Sequence, residues 1–161
     1  MIRNARLASW MFLASSLSFA QSDVAPAGNV LSVTAPVGTV LKAGATSEVK
    51  IKLALRAGYH VNSNTPSDKY LIPLKLTWNP GPAEAVEVVF PKPQQEKVAF
   101  PPNLISVFTG QFDLVTRFKV PATAATGPSA LVGKIRYQAC NDRMCLAPKT
   151  LDVAMQVDIV R

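Results

Sequence analysis

LVGKIRYQACNDRMCLAPKTLDVAMQVDIV, residues 131–160, is the stretch on which the fold turns. In its second half Leu151, Val153, Met155, Val157 and Ile159 share one parity, and Asp152, Ala154, Gln156 and Asp158 share the other. The first half repeats the pattern, with Ile135, Tyr137 and Ala139 set against Lys134, Arg136 and Gln138. Successive side chains of a strand point to opposite faces, so each half reads as a strand with one face on a core and one in water. The two strands form a hairpin with both cysteines of the chain at its mouth. Cys140 has the parity of Lys134 and Arg136, which directs it toward solvent if the alternation persists. Cys145 has the parity of the inward set, although Pro148 interrupts the phase between them.

The same period of two recurs along the chain. Val49, Ile51, Leu53 and Leu55 alternate with Lys50, Lys52 and Ala54, as do Leu74, Leu76 and Trp78 with Lys75 and Thr77. Val86, Val88 and Phe90 form another inward set, and Phe112, Leu114, Thr116, Phe118 and Val120 a longer one. Turns at Ala43-Gly44-Ala45, Asn79-Pro80-Gly81-Pro82 and the stretch 121–129 separate the runs. Short alternating strands with half-solvated faces define an all-β chain, an immunoglobulin-like antiparallel β-sandwich. Trp78 and Phe90 are expected in its core. Two stretches depart from the pattern, 62–73 and 91–111. The second is long for a loop in a small domain and carries Phe100 and Phe108, which implies a core plug or a functional role.

The beginning of the chain reads as an export signal. Arg3 and Arg6 precede an apolar run from Leu7 to Phe19, and Ser18-Phe19-Ala20 supplies the small-residue exit. The run is short for a bilayer, which needs about 20 apolar residues. The expected organisation is a signal peptide over 1–20, a flexible lead over 21–28 and one sandwich domain over 29–161. No membrane span is expected in the mature chain. Removing Arg3 and Arg6 from the 17 basic residues leaves 15 against 10 acidic ones. That excess is dispersed over strand faces without interleaved aromatic residues, which argues against nucleic acid as a partner. An exported chain reaches an oxidising compartment, so a Cys140–Cys145 disulfide is chemically permitted.

Three readings of the cysteine pair stand side by side. As a staple it closes a loop of a few residues, which limits its contribution to about 2 kcal/mol. A bridge that weak can be opened without unfolding the domain, which favours a working disulfide. Arg143 and Lys149 would favour a thiolate nearby. A Cu(I) clamp from Cys140, Cys145, Met144 and His60 is the third reading, but zinc lacks a ligand set and no second histidine is present. No metal and no cofactor are expected. No Ser-His-Asp set, phosphate-cradling loop or carboxylate pair appears.

YQACNDRMCLAPKT, residues 137–150, resembles the active-site hairpin of the N-terminal periplasmic domain of the thiol:disulfide interchange protein DsbD. AGYHVNSN, residues 57–64, is similar to that family's Gly-Tyr segment beside the cysteines, and SVFTGQFDL, residues 106–114, to its Phe-x-Gly cap loop. The resemblance implies an immunoglobulin-like domain whose cysteines pass reducing equivalents in the periplasm. Its implied partners are a thioredoxin-like or DsbD-type electron donor and, as clients, a periplasmic disulfide isomerase or other thiol oxidoreductases. Carried over by position, Cys145 forms the mixed disulfide, Cys140 resolves it, Phe108 caps the pair and Gly110 lets the cap loop hinge. Tyr59, His60, Asn62, Tyr137 and Asp142 are the implied site neighbours. Where the family has an acidic pair before the cap and two tyrosines beside the site, this chain has Ser106, Val107, His60 and Asn62. His60 then stands as a candidate base. The expected function is a periplasmic electron relay, set against a redox-inert binding module on the same sandwich.

Overall fold

A computed structural model describes residues 28–97 and 104–161. The expected signal peptide, nearly all of the expected lead and Phe100 therefore lie outside the described residues. Twelve strands form three four-stranded sheets, and no helix occurs among the described residues. The first sheet has the order β1 (Leu31–Thr34), β3 (Thr46–Leu55), β9 (Gln111–Lys119), β6 (Glu84–Val89). The second has the order β2 (Thr39–Lys42), β12 (Lys149–Val160), β10 (Gly127–Tyr137), β5 (Lys75–Trp78). These two pack face to face as an immunoglobulin-like sandwich.

The expected parities produce this core. Leu131, Ile135 and Tyr137 of β10 and Val153, Met155, Val157 and Ile159 of β12 are buried. Lys134 and Arg136 stay in water, as do Asp152 and Asp158. Opposite them lie Val49, Ile51, Leu53, Leu114 and Phe118 from the first sheet. Trp78 touches both halves of the core, meets Phe118 edge to face at 5.0 Å and donates its indole N–H to Thr116 Oγ1 at 3.1 Å. That arrangement needs Gly133, which pairs with Trp78. A Cβ there would stand 2.6 Å from Thr77 O and 2.8 Å from the Trp78 ring.

Three local expectations change. The β2–β12 pair is parallel, so the sandwich is antiparallel everywhere except at this edge. Val86, assigned to the inward set, is half exposed because β6 bulges between Ala85 and Glu87 and resets the phase against β9. The stretch 91–111 is not a loop along its length. It contains β7 (Gln94–Lys97) and β8 (Leu104–Thr109), which pair with each other.

These two strands belong to the third sheet, of order β11 (Ala139–Cys140), β4 (His60–Asn62), β8, β7. Here β10 ends at Tyr137, Gln138 leaves the second sheet, and Ala139 and Cys140 pair instead with Val61 and His60. Residues directly opposite across a ladder share a face. Ala139, Val61 and Phe108 form one row that faces the main core, whereas Cys140, His60 and Thr109 form the next row and face away from it. The third sheet thus mounts the cysteine hairpin on the end of the sandwich.

Candidate functional site

Cys140 and Cys145 are joined, with Sγ–Sγ 2.00 Å and Cα–Cα 4.0 Å. They face each other as an isolated antiparallel bridge flanked by Leu146 N–H to Ala139 O at 2.8 Å and Asn141 N–H to Met144 O at 2.9 Å. Those bonds bracket the pair without joining it, which makes it a non-hydrogen-bonded pair, the position where opposed side chains approach most closely. Asn141 shapes the turn between them. Its Oδ1 accepts from the Arg143 N–H at 2.9 Å and the Met144 N–H at 2.8 Å, an Asx turn. Asp142, one of the implied site neighbours, follows Asn141 in this turn and is exposed. Gln138 Nε2 donates to Leu146 O at 3.1 Å and pins the base of the hairpin.

The two sulfurs occupy different environments. Cys145 is an exposed residue, whereas Cys140 is buried, with 4% of its surface accessible. This corrects the outward expectation for Cys140. Its parity holds, since Ala139 does face the core, but the other face of the third sheet is not open water. It forms the floor of a groove of about 970 Å³. Asp68, Tyr70 and Leu71 wall it, Glu96 and Ile105 belong to the same sheet face, and Leu104 and the hairpin from Cys140 to Cys145 complete its lining. Tyr70, Leu104 and Met144 expose large apolar side chains around it.

His60 and Asn62, both expected beside the cysteines, are in the floor and are buried. His60 lies directly across the ladder from Cys140, and its Nδ1 is 3.2 Å from Glu96 Oε2. Asn62 Nδ2 donates to Ile72 O at 3.0 Å and holds the wall segment against the sheet. Tyr59 packs at the margin of the core. Tyr137 is inside it, where burial pushes its phenol above the ordinary value. Lys149 does not turn to the cysteines. Its ammonium contacts Gly28 O at 3.3 Å and Asn29 Oδ1 at 3.4 Å.

Phe108 stands on the core face, in the row of Ala139 and Val61, with its ring stacked on Phe112 at 4.9 Å and Phe90 at 6.3 Å. In this conformation it does not lie over the disulfide, because the cysteine row faces the other way. The physical reason is the strand itself. The cap-like segment is drawn into β8, and its alternation fixes which way each side chain points. Gly110 follows at φ 60°, the left-handed conformation that carries the chain from β8 into β9. Among the described residues no three His, Cys, Asp or Glu side chains converge as a metal site would require.

Sequence reasoning did not find Glu96, Asn141, Tyr70 or Leu104 as site residues. Asn141 carried a signal, a turn-forming residue directly after Cys140. The others carried none: Glu96 and Leu104 reach the groove through the pairing of β4 with β8 and of β8 with β7, and Tyr70 reaches it from the segment between β4 and β5.

The family model described as "Thiol:disulfide interchange protein DsbD, N-terminal" matches residues 27–156. The chain belongs to this family. Among solved structures the chain is similar to the N-terminal periplasmic domain of ScsB from Proteus mirabilis. The identity is 14% and the TM-score 0.54, over 84% of this chain and 49% of that one. It thus spans about half the length of that structure, and the likeness concerns the fold. A PapD-like domain of human CEP192 aligns at 12% identity and TM-score 0.38, over 91% and 97% of the two chains. A cohesin–dockerin complex from Clostridium thermocellum aligns at 11% identity and TM-score 0.40, over 82% and 100%. A comparison with curated proteins gave no match.

Proposed function

We propose that this domain is a periplasmic thiol–disulfide relay, exported by the leader over 1–20 and folded as one unit over 29–161. It passes reducing equivalents between redox proteins through Cys140 and Cys145. The observation that carries this reading is the asymmetry of the pair at the end of an open groove, with one sulfur on an exposed residue and the other on a buried one. Family membership and the likeness to the ScsB domain support the periplasmic setting.

Thiol–disulfide exchange needs a thiolate in line with an accessible disulfide sulfur. In the reduced domain the exposed Cys145 thiolate attacks a client disulfide. A Cys145–client disulfide forms, and the first client sulfur leaves as a thiolate. Cys140, fixed 4.0 Å away Cα to Cα, then loses its proton and attacks Cys145 Sγ. The second client sulfur leaves, the Cys140–Cys145 disulfide is restored, and the client has gained two electrons and two protons. A thioredoxin-like donor dithiol reverses the sequence to recharge the domain. The apolar rim of Tyr70, Leu104 and Met144 offers such a partner a surface beside the sulfur.

Mixed-disulfide trapping tests the proposal. Reduced Cys140→Ser protein mixed with an oxidised thioredoxin-like protein should accumulate a covalent complex through Cys145, and Cys145→Ser should accumulate much less. Trapping through Cys140 alone would reverse the roles. No complex from either variant, together with a reduction potential below about −300 mV, would leave a redox-inert binding module with a structural bridge.

A further inference from the structure

We infer that His60 and Glu96 form a base pair for the resolving step, in which the His60 imidazole takes the proton of Cys140 and the Glu96 carboxylate orients the ring. The inference rests on the relay reading and adds to it the groups that handle the proton. Three observations converge. Cys140 is buried, so its proton must pass to a neighbouring group rather than directly to bulk water. His60 is its cross-strand partner on the same face of the sheet, a position that sets Cβ atoms about 5 Å apart. The imidazole, itself 7% exposed, has Nδ1 at 3.2 Å from Glu96 Oε2.

The pairing fixes the chemistry of the ring. A carboxylate only accepts, so Nδ1 carries the proton and Nε2 of the neutral imidazole is the lone-pair nitrogen. Glu96 is placed to do this by its own strand. Glu96 pairs with Ile105 on the ladder, and Gln94 pairs with Val107, which itself faces Asn62. That alternation puts Glu96 on the His60 face. Nothing in the sandwich core requires a histidine or a carboxylate there. Asp68, Tyr70, Lys97, Asp142 and Arg143 also line the groove and set its field.

In the Cys145 mixed disulfide the Cys140 S–H gives its proton to the imidazole, and its sulfur forms the bond to Cys145 Sγ. The partner's sulfur leaves with the electron pair of the broken bond, and the imidazolium returns the proton to that thiolate or to water. No external oxidant or reductant enters. In the reverse direction the same imidazolium protonates Cys140 as it leaves.

Resolution of a glutathione adduct reads this step directly. The reduced chain is mixed with oxidised glutathione, acid-quenched at intervals between pH 5 and pH 9, and the Cys145 adduct and the closed disulfide are quantified by mass. The wild-type closure rate should show a shoulder in the range where histidines titrate, about pH 5 to 8. His60→Gln should lose the shoulder and close about 10²-fold more slowly at pH 7, the lower end of general-base contributions. Glu96→Gln should slow closure at pH 7 by roughly tenfold, a fraction of the full general-base factor. Near-UV circular dichroism checks that each variant is folded. Should His60→Gln fail to fold, Glu96→Gln decides alone, since its side chain is half exposed at the rim. Unchanged profiles in the folded variants overturn the inference and leave the relay intact. A wild-type protein that forms no Cys145 adduct at all overturns the relay itself.

Discussion

The sandwich and the third sheet are built from the same kind of strand and solve different problems. In β10 and β12 one face meets the core and the other meets water, so alternation survives from end to end and every buried position but Tyr137 is apolar. In the third sheet both faces are covered. One row, Ala139, Val61 and Phe108, continues the core, and the next, Cys140 and His60, is covered by groove walls. Polar and reactive groups are therefore buried on the second face with partners rather than solvated. Neither cysteine belongs to the core of the sandwich, and the small sheet carries the pair at the end of that frame with Cys145 exposed.

Substitutions that fall on one region and spare the other test this division, and the largest effect is expected in the sandwich. Phe118→Ala removes a side chain with 0% exposure and its contact with Trp78. It should cost about 3–5 kcal/mol in chemical denaturation, as buried Phe→Ala changes do. A loss under about 1 kcal/mol, outside that range, would show that the frame is not packed as described.

Phe108→Ala separates a core role from a lid. Stacked on Phe112 and Phe90, Phe108 should cost several kcal/mol, in the ~3–5 range of buried aromatics, and leave the thiol-exchange rate of the folded protein unchanged. A lid would do the reverse, with stability retained and exchange with a small disulfide accelerated.

Reduction of the Cys140–Cys145 bond, with its sequence separation of 5, should lower stability by no more than about 2 kcal/mol. Denaturation midpoints with and without a dithiol give the difference. Loss of the fold on reduction would make the bridge a staple and remove the basis of the relay.

The smallest effect belongs to the outer face. Arg117 on β9 bridges Glu48 at 2.8 Å and Glu87 at 2.6 Å, in one row across three strands, and the two carboxylates hold its guanidinium more firmly protonated. All three side chains are well exposed, so Arg117→Gln should barely move the midpoint, and that small shift should vanish in high salt. The half-buried His60–Glu96 pair is the contrast, since its effect on closure rate should persist in the same salt. Equal salt sensitivity of the two would erase the distinction drawn here between the regions.

Much of the frame was legible in residues 131–160 and in the run from Val49 to Leu55, because a strand with one wet face writes its orientation into its polarity. Legibility failed where that condition failed. β7 reads Gln-Gln-Glu-Lys because it is an edge strand, and β8 buries Ser106, Val107 and Phe108 in succession because neither of its faces is free. Val86 was misplaced by a bulge, a one-residue shift that composition does not mark. Gly133 gave no sign of its role, which exists only because Trp78 crosses it.

What the sequence determined alone was a β-sandwich and a cysteine pair at the mouth of a hairpin, since period-two polarity and short spacing are local properties of the chain. The tertiary structure decided which sulfur is exposed, which way Phe108 faces and that Glu96 meets His60. Those outcomes depend on what covers the second face of a sheet, and that cover comes from strands remote along the chain.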